Sequence, residues 1–161
     1  MGHRANFVTI QTNCAKAYYD QWAALGCIHA FATGPTEAFN ALSEMETTSE
    51  LMDWAFAEGG YLLDFDQKVA IVFGSPFDAD EFGDFEDKFS IPTDPVCEAF
   101  EQGIPAFLAY VSAAWTGWKI VWDDCGVDAF AAHLKARNIT SIAVQPESYP
   151  PETTPPIVFQ A

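Results

Sequence analysis

Apolar positions along this chain follow two periods, and the switches between them mark its elements. Residues 5–11 (ANFVTIQ) and 15–19 (AKAYY) are short, β-prone runs on either side of the turn-like Thr12-Asn13-Cys14, which reads as a hairpin. The stretch 20–32 (DQWAALGCIHAFA) fits strand or helix equally well. Gly34-Pro35-Thr36 then opens a helix through about Met45, because Ala38, Phe39, Leu42 and Met45 recur at helical spacing. A second helix is expected over SELMDWAFAE (49–58), with Thr48 or Ser49 as N-cap and Gly59-Gly60 as its stop.

The clearest hairpin is YLLDFDQKVAIVF. Its strands are 61–64 and 69–73, with Leu62 and Phe73 expected inside and Asp64–Lys68 as an exposed turn. A loop rich in acidic and aromatic residues runs from 74 to 93. Asp94-Pro95 is an N-cap and N1 pair for a helix that Gly103 and Pro105 should break before IPAFLAYVSAAW. WKIVW (118–122) predicts a strand whose Trp118, Ile120 and Trp122 share one face, which points to core packing for both tryptophans, with a ligand-stacking platform as the alternative. GVDAFAAHLKAR (126–137) is an amphipathic helix and SIAV (141–144) a last strand. Residues 146–156 hold five of the ten prolines and read as an extended strap anchored by Ile157-Val158-Phe159. Hairpins mixed with helices, without strict βαβ alternation, predict an α+β fold. The expectation is an antiparallel sheet of about five or six strands with helices packed on it. One domain would span 1–145, and 146–161 would form a Pro-rich C-terminal tail.

Composition narrows the function classes. At 161 residues, half of them hydrophobic, the chain suits one domain with a substantial core. Its 23 acidic residues against 7 basic ones leave a net charge of −16, which repels nucleic acid and anionic membranes and draws in a basic partner. No apolar run approaches the roughly 18 residues of a membrane span. MGHRANFVTIQ has neither an apolar h-region nor a cleavage site, and Asn6 stands where myristoylation requires Ser or Thr. Cys14, Cys27, Cys97 and Cys125 are widely spaced, as expected of reduced thiols, so a cytoplasmic address is expected.

Candidate chemistry is sparse. Asp78, Asp80, Gly83 and Asp84 fall at EF-hand spacing, but Phe82 takes a ligand position and Phe89 replaces the bidentate Glu, so calcium is not expected there. The same loop offers Asp78, Asp80, Glu81, Asp84, Glu86 and Asp87, interleaved with Phe82 and Phe85: charges to steer a basic partner and rings to anchor it. The alternative is a solvated loop pinned by its phenylalanines. Asp123, Asp124 and Asp128 form a second acidic cluster, in which Asp124 or Asp128 suits capping or charging the first turn of the next helix; a partner interface, and paired carboxylates acting as general acid and base, are the alternatives. His3, His29 and His133 are scattered; His133 lies in the amphipathic helix, where a partly exposed or satisfied histidine is expected, and a dyad of one of the three with Cys14, Cys27, Cys97 or Cys125 stays open. No GxSxG, Walker or GxGxxG string occurs, so no catalytic residue, metal or cofactor is expected.

Several strings together resemble a small uncharacterised bacterial family. They are Arg4-Ala5-Asn6-Phe7-Val8, Tyr18-Tyr19, Trp22-Ala23-Ala24, Gly34-Pro35, Glu58-Gly59-Gly60 with LLDFD (62–66), and the Trp-x-Gly-Trp-x-x-x-Trp run from Trp115 to Trp122. Chains of this look are similar to the immunity proteins that accompany bacterial polymorphic toxins. That resemblance implies a non-enzymatic toxin inhibitor in bacterial competition, which binds and occludes a cognate toxin effector, foremost a nuclease with a basic active-site groove. Two other readings stay open. One is a small-ligand protein or enzyme with a pocket between the sheet and the 95–114 helices, lined by Trp22, Trp54 and Tyr110. The other is a DNA-mimic regulator.

Overall fold

The computed structural model describes residues 3–52, 56–75, 94–145 and 155–161. In chain order its elements are strands β1 (Ala5–Gln11) and β2 (Cys14–Asp20), a 3-10 turn at Ala23–Leu25, helices α1 (Cys27–Ala32) and α2 (Pro35–Asn40), and short strands β3 (Glu46–Thr48) and β4 (Glu50–Leu51). The hairpin β5 (Gly59–Asp64) and β6 (Val69–Phe73) follows, then helices α3 (Pro95–Glu101) and α4 (Ile104–Val111) and a second 3-10 turn at Ser112–Ala114. Strand β7 (Lys119–Trp122), helix α5 (Val127–Ala136), and strands β8 (Ala143–Val144) and β9 (Ile157–Gln160) complete the set.

The first hairpin turns on Thr12 and Asn13, whose φ angles of 53° and 62° are those of a type I′ turn, the turn whose twist matches that of its strands. The second pairs Leu62 with Ile71. The large sheet has seven strands in the order β3-β2-β1-β5-β6-β7-β9. It is mixed, which corrects the expectation of an antiparallel sheet of five or six strands: β1 runs parallel to β5, and β6 parallel to β7. Alternation along a strand reports burial and is silent about the direction of its neighbour. The direction is set by the connections: helices α3 and α4 lie on the path that brings the chain back to the end of the sheet where β6 begins, so that β7 runs parallel to it, and β1 lies parallel to β5 because β2 and β3 intervene between them in the chain. A separate parallel pair, β4 with β8, sets Leu51 beside Val144.

Both faces of the sheet are covered. On one, Phe7, Tyr61, Leu63, Val72, Ile120 and Trp122 pack with Ile28 and Phe31 of α1, Phe107 and Leu108 of α4, and Trp115. On the other, Val8, Ile10, Leu62, Ile71 and Phe73 pack with Val127, Phe130 and Leu134 of α5 and with Leu51. Central β5 is accordingly buried at all six positions.

The Trp-x-Gly-Trp-x-x-x-Trp run is part of this core. Trp115 stacks on Phe31 with ring centroids 4.4 Å apart, and its indole N–H donates to the Phe31 carbonyl. Trp118 and Trp122 are buried on the same face as Ile120, as their parity predicts. The apolar end of the tail enters the sheet as β9, antiparallel to β7; residues 146–154 lie outside the described residues.

Four local expectations change. The helix from Gly34 ends at Asn40, and residues 41–45 continue as turns. The helix expected over 49–58 begins as strand β4, because Leu51 is fully buried against the α5 side of the sheet; residues 53–55, including Trp54, lie outside the described residues. Gly59 and Gly60, expected as a helix stop, open β5 instead. A Cβ on Gly60 would stand 1.9 Å from the Asn6 carbonyl oxygen, so only glycine lets β5 lie against β1 there. Asp64 is not part of an exposed turn: it ends β5 fully buried, and the turn is 65–68.

Leu62→Ala should cost about 2–5 kcal/mol in chemical denaturation, as truncation of a fully buried leucine. Gly60→Ala should remove the cooperative thermal transition altogether. Wild-type melting of Gly60→Ala would show that β1 and β5 do not approach as described.

Candidate functional site

Three groups of chemically capable side chains stand out. The first joins two helices. Asp94 is the N-cap of α3, its Oδ1 accepting from the Val96 amide at 2.8 Å, as the Asp-Pro pair predicts. Its Oδ2 lies 2.5 Å from Nε2 of His29 on α1, and Cys97 Sγ lies 3.9 Å from the same nitrogen. All three residues are partly exposed. Burial pushes the Asp94 carboxyl up, but hydrogen bonds from His29 and from the Val96 and Cys97 amides, with the charge of His29, hold it below the ordinary carboxylate range. Sequence spacing could not find this group, since His29 stands 65 and 68 positions from its partners. The only local signal is Asp94-x-x-Cys97, an interval that sets an N-cap side chain beside the third helical residue.

The second group ties α5 to the two hairpin turns. Asp64 Oδ2 accepts from His133 Nε2 at 2.8 Å and from Arg137 Nη1 at 2.5 Å, and its Oδ1 accepts from the Gln67 amide. Burial raises the Asp64 carboxyl, yet these bonds and the Arg137 charge outweigh it and leave the pKa lowered. Asp66 accepts from the amides of Thr12 and Asn13 at 2.9 and 2.8 Å, the two left-handed residues of the β1–β2 turn. It also pairs with Arg137 at 3.2 Å, and Arg137 Nη2 donates to Asn13 Oδ1. The two aspartates of LLDFD are thus structural ties. His133, expected as a partly exposed or satisfied histidine of the amphipathic helix, is one of their partners.

The third is an apolar cavity of about 250 Å³ between α1 and the sheet, lined by Phe7, Ala23, Cys27, Ala30, Met45 and Tyr61 among others. Its polar groups are inert: Tyr61 donates its hydroxyl proton to the Ala38 carbonyl, and burial pushes the Cys27 thiol up to about 12. Trp22 and Tyr110, expected to line a pocket, are exposed and do not line this cavity.

Of the partner-binding residues read from the sequence, Asp78, Asp80, Glu81, Phe82, Asp84, Phe85, Glu86 and Asp87 lie outside the described residues. Asp123 and Asp124 follow β7. Asp123 Oδ1 accepts from the Cys125 amide, and Asp124 Oδ1 accepts from the Trp122 indole at 2.9 Å. Neither caps α5, whose N-cap is Gly126; Asp128 supplies the negative charge in its first turn. Among the described residues, no helix is long and apolar enough to cross a membrane.

The thiols give a direct check on this arrangement. In the native protein an aromatic disulfide reagent should modify exposed Cys14 quickly and leave Cys27 unmodified until denaturant is added. Native-state labelling of Cys27 at the rate of Cys14 would contradict its burial. Comparison with protein-family models, curated proteins and solved structures returns no match.

Proposed function

We propose that this chain is a cytoplasmic immunity protein, a non-catalytic inhibitor that binds a cognate bacterial toxin domain and occludes its basic active-site groove. A nuclease is the foremost candidate for that toxin. The observation that carries the reading is the imbalance of charge along the chain. From Ala17 through Gln67 the sequence contains no lysine or arginine, and within that stretch Glu37, Glu44, Glu46, Glu50 and Glu58 are exposed. Arg137, one of the seven basic residues, is spent internally on Asp64 and Asp66. A surface field dominated by negative charge repels nucleic acid and accelerates encounter with a cationic groove. The 78–87 run adds six carboxylates around Phe82 and Phe85, the composition of a steered contact with aromatic anchors. Asp123 and Asp124 extend the proposed contact at the end of β7.

The test is kinetic binding to the product of the neighbouring gene, with rescue from its toxicity. Association should slow steeply as salt shortens the Debye length from about 10 Å at 0.1 M to about 3 Å at 1 M. Converting Asp80, Glu81 and Asp84 to Asn, Gln and Asn should slow association and leave the fold intact. Phe82→Ala or Phe85→Ala should instead speed dissociation, with a loss of about 2 kcal/mol or more at an anchor. Rates indifferent to salt and to the triple change, with full rescue retained, would remove the acidic run from the interface. Failure to bind the neighbouring product would contradict the inhibitor reading itself.

A further inference from the structure

His29, Asp94 and Cys97 bring an imidazole nitrogen, a carboxylate oxygen and a thiol sulfur to within 4.8 Å of one another. An acid–base relay would need the acid and the thiol on opposite nitrogens of the imidazole, so that one orients the ring while the other exchanges a proton with it. Here Asp94 Oδ2 and Cys97 Sγ both approach Nε2, which has a single proton or a single lone pair to offer. Three donors gathered around one point form a chelate, and the proton between His29 and Asp94 stands where a cation would sit.

The geometry points to a mononuclear Zn²⁺ site formed by His29 Nε2, Asp94 Oδ2 and Cys97 Sγ, with a fourth position open to water or to a donor atom from outside the chain. Zinc bonds of about 2.0–2.1 Å to nitrogen or oxygen and about 2.3 Å to sulfur set tetrahedral ligand atoms about 3.3–3.6 Å apart. The 3.9 Å between Nε2 and Sγ needs only a slight contraction. The 2.5 Å between Nε2 and Oδ2 must widen by somewhat under an ångström, within reach of a carboxylate rotation. Asp94 Oδ1 stays on the Val96 amide, which fixes the carboxylate and leaves Oδ2 for the ion. A thiolate with an imidazole suits zinc and discriminates against calcium and magnesium, which take all-oxygen shells. The side chains of His29 and Asp94 are 37% and 42% exposed, so an ion has a way in and a water can complete the shell. Three protein ligands with one open position is the arrangement of zinc sites that exchange a ligand, whereas structural sites close the shell with four. A net charge of −16 further raises the local concentration of cations. This site goes beyond the inhibitor reading and does not depend on it.

The experiment titrates chelator-stripped full-length protein with Zn²⁺ against a chromophoric competitor, and with Co²⁺ as a spectroscopic stand-in. One equivalent of zinc should bind, with protons released as the thiol ionises. Cobalt should show thiolate-to-metal charge transfer together with the strong visible bands of tetrahedral coordination. Cys97→Ser should remove the charge-transfer band and weaken zinc at least 10-fold, and His29→Gln should weaken it similarly. Cys14→Ser should change nothing, and excess Ca²⁺ should not displace the zinc. Circular dichroism of each variant shows whether it has kept its fold; Cys97→Ser alters one atom of a partly exposed side chain and serves as the decisive variant if His29→Gln does not fold. Absence of saturable one-to-one binding would overturn the site, as would a cobalt spectrum without a thiolate band or zinc affinity unchanged in Cys97→Ser.

Discussion

Asp64 closes the central strand with its carboxylate shut away from solvent, and much of the surrounding arrangement answers that buried charge. An ionised carboxylate without partners in such a place would cost several kcal/mol in lost hydration. It is offset by His133 and Arg137, one turn apart on and just beyond α5, and by the Gln67 amide of the adjoining turn. Because its partners come from α5, the helix that covers one face of the sheet is fixed in position relative to the hairpin beneath it. Arg137 then reaches Asp66, and Asp66 holds the two amides of the β1–β2 turn in a conformation that Thr12 rarely adopts. One chain of contacts therefore sets three pieces of the molecule: the β1–β2 turn, the β5–β6 turn and α5.

This explains which parts of the fold were legible in the sequence. Both hairpins, the Asp94 cap, the break at Gly103-Pro105 and the α5 helix follow from local signals, since alternation, caps and breakers act within a few residues. The parallel pairings were not legible, because a strand's direction relative to its neighbour depends on the whole path of the chain between them. Leu51 shows the same limit from the other side. Its segment has helical spacing, yet burial beside Val144 and α5 draws it into a two-residue strand. Asp64 was read as a turn residue because an aspartate beside a hairpin turn is ordinarily exposed. Only the arrival of His133 and Arg137 from 69 and 73 positions away makes its burial affordable.

The same reasoning separates the carboxylates into two kinds. Asp64, Asp66 and Asp94 are committed to histidine, arginine or backbone amide partners, and Asp123 and Asp124 to nearby donors. The exposed glutamates of residues 37–58 are followed by no lysine until Lys68, and they give the surface its sign. The candidate site was the least legible feature. Acidity alone marks where a basic partner is drawn, whereas the His29, Asp94 and Cys97 group exists only because α1 and the start of α3 meet in space.

The claim on which the rest depends is that Asp64 is ionised and paired inside the fold, and a carboxyl-carbon NMR titration of Asp64 tests it most directly. A lowered folded-state pKa means that the pairing contributes stability above the unfolded value of about 3.9 and loses it as the pH falls through the lower folded value. Asp64 should therefore remain ionised below the ordinary carboxylate range, and its protonation should coincide with release of the Thr12 and Asn13 amides to solvent exchange. Protonation of Asp64 at or above about pH 3.9, with those amides still protected, would contradict the account.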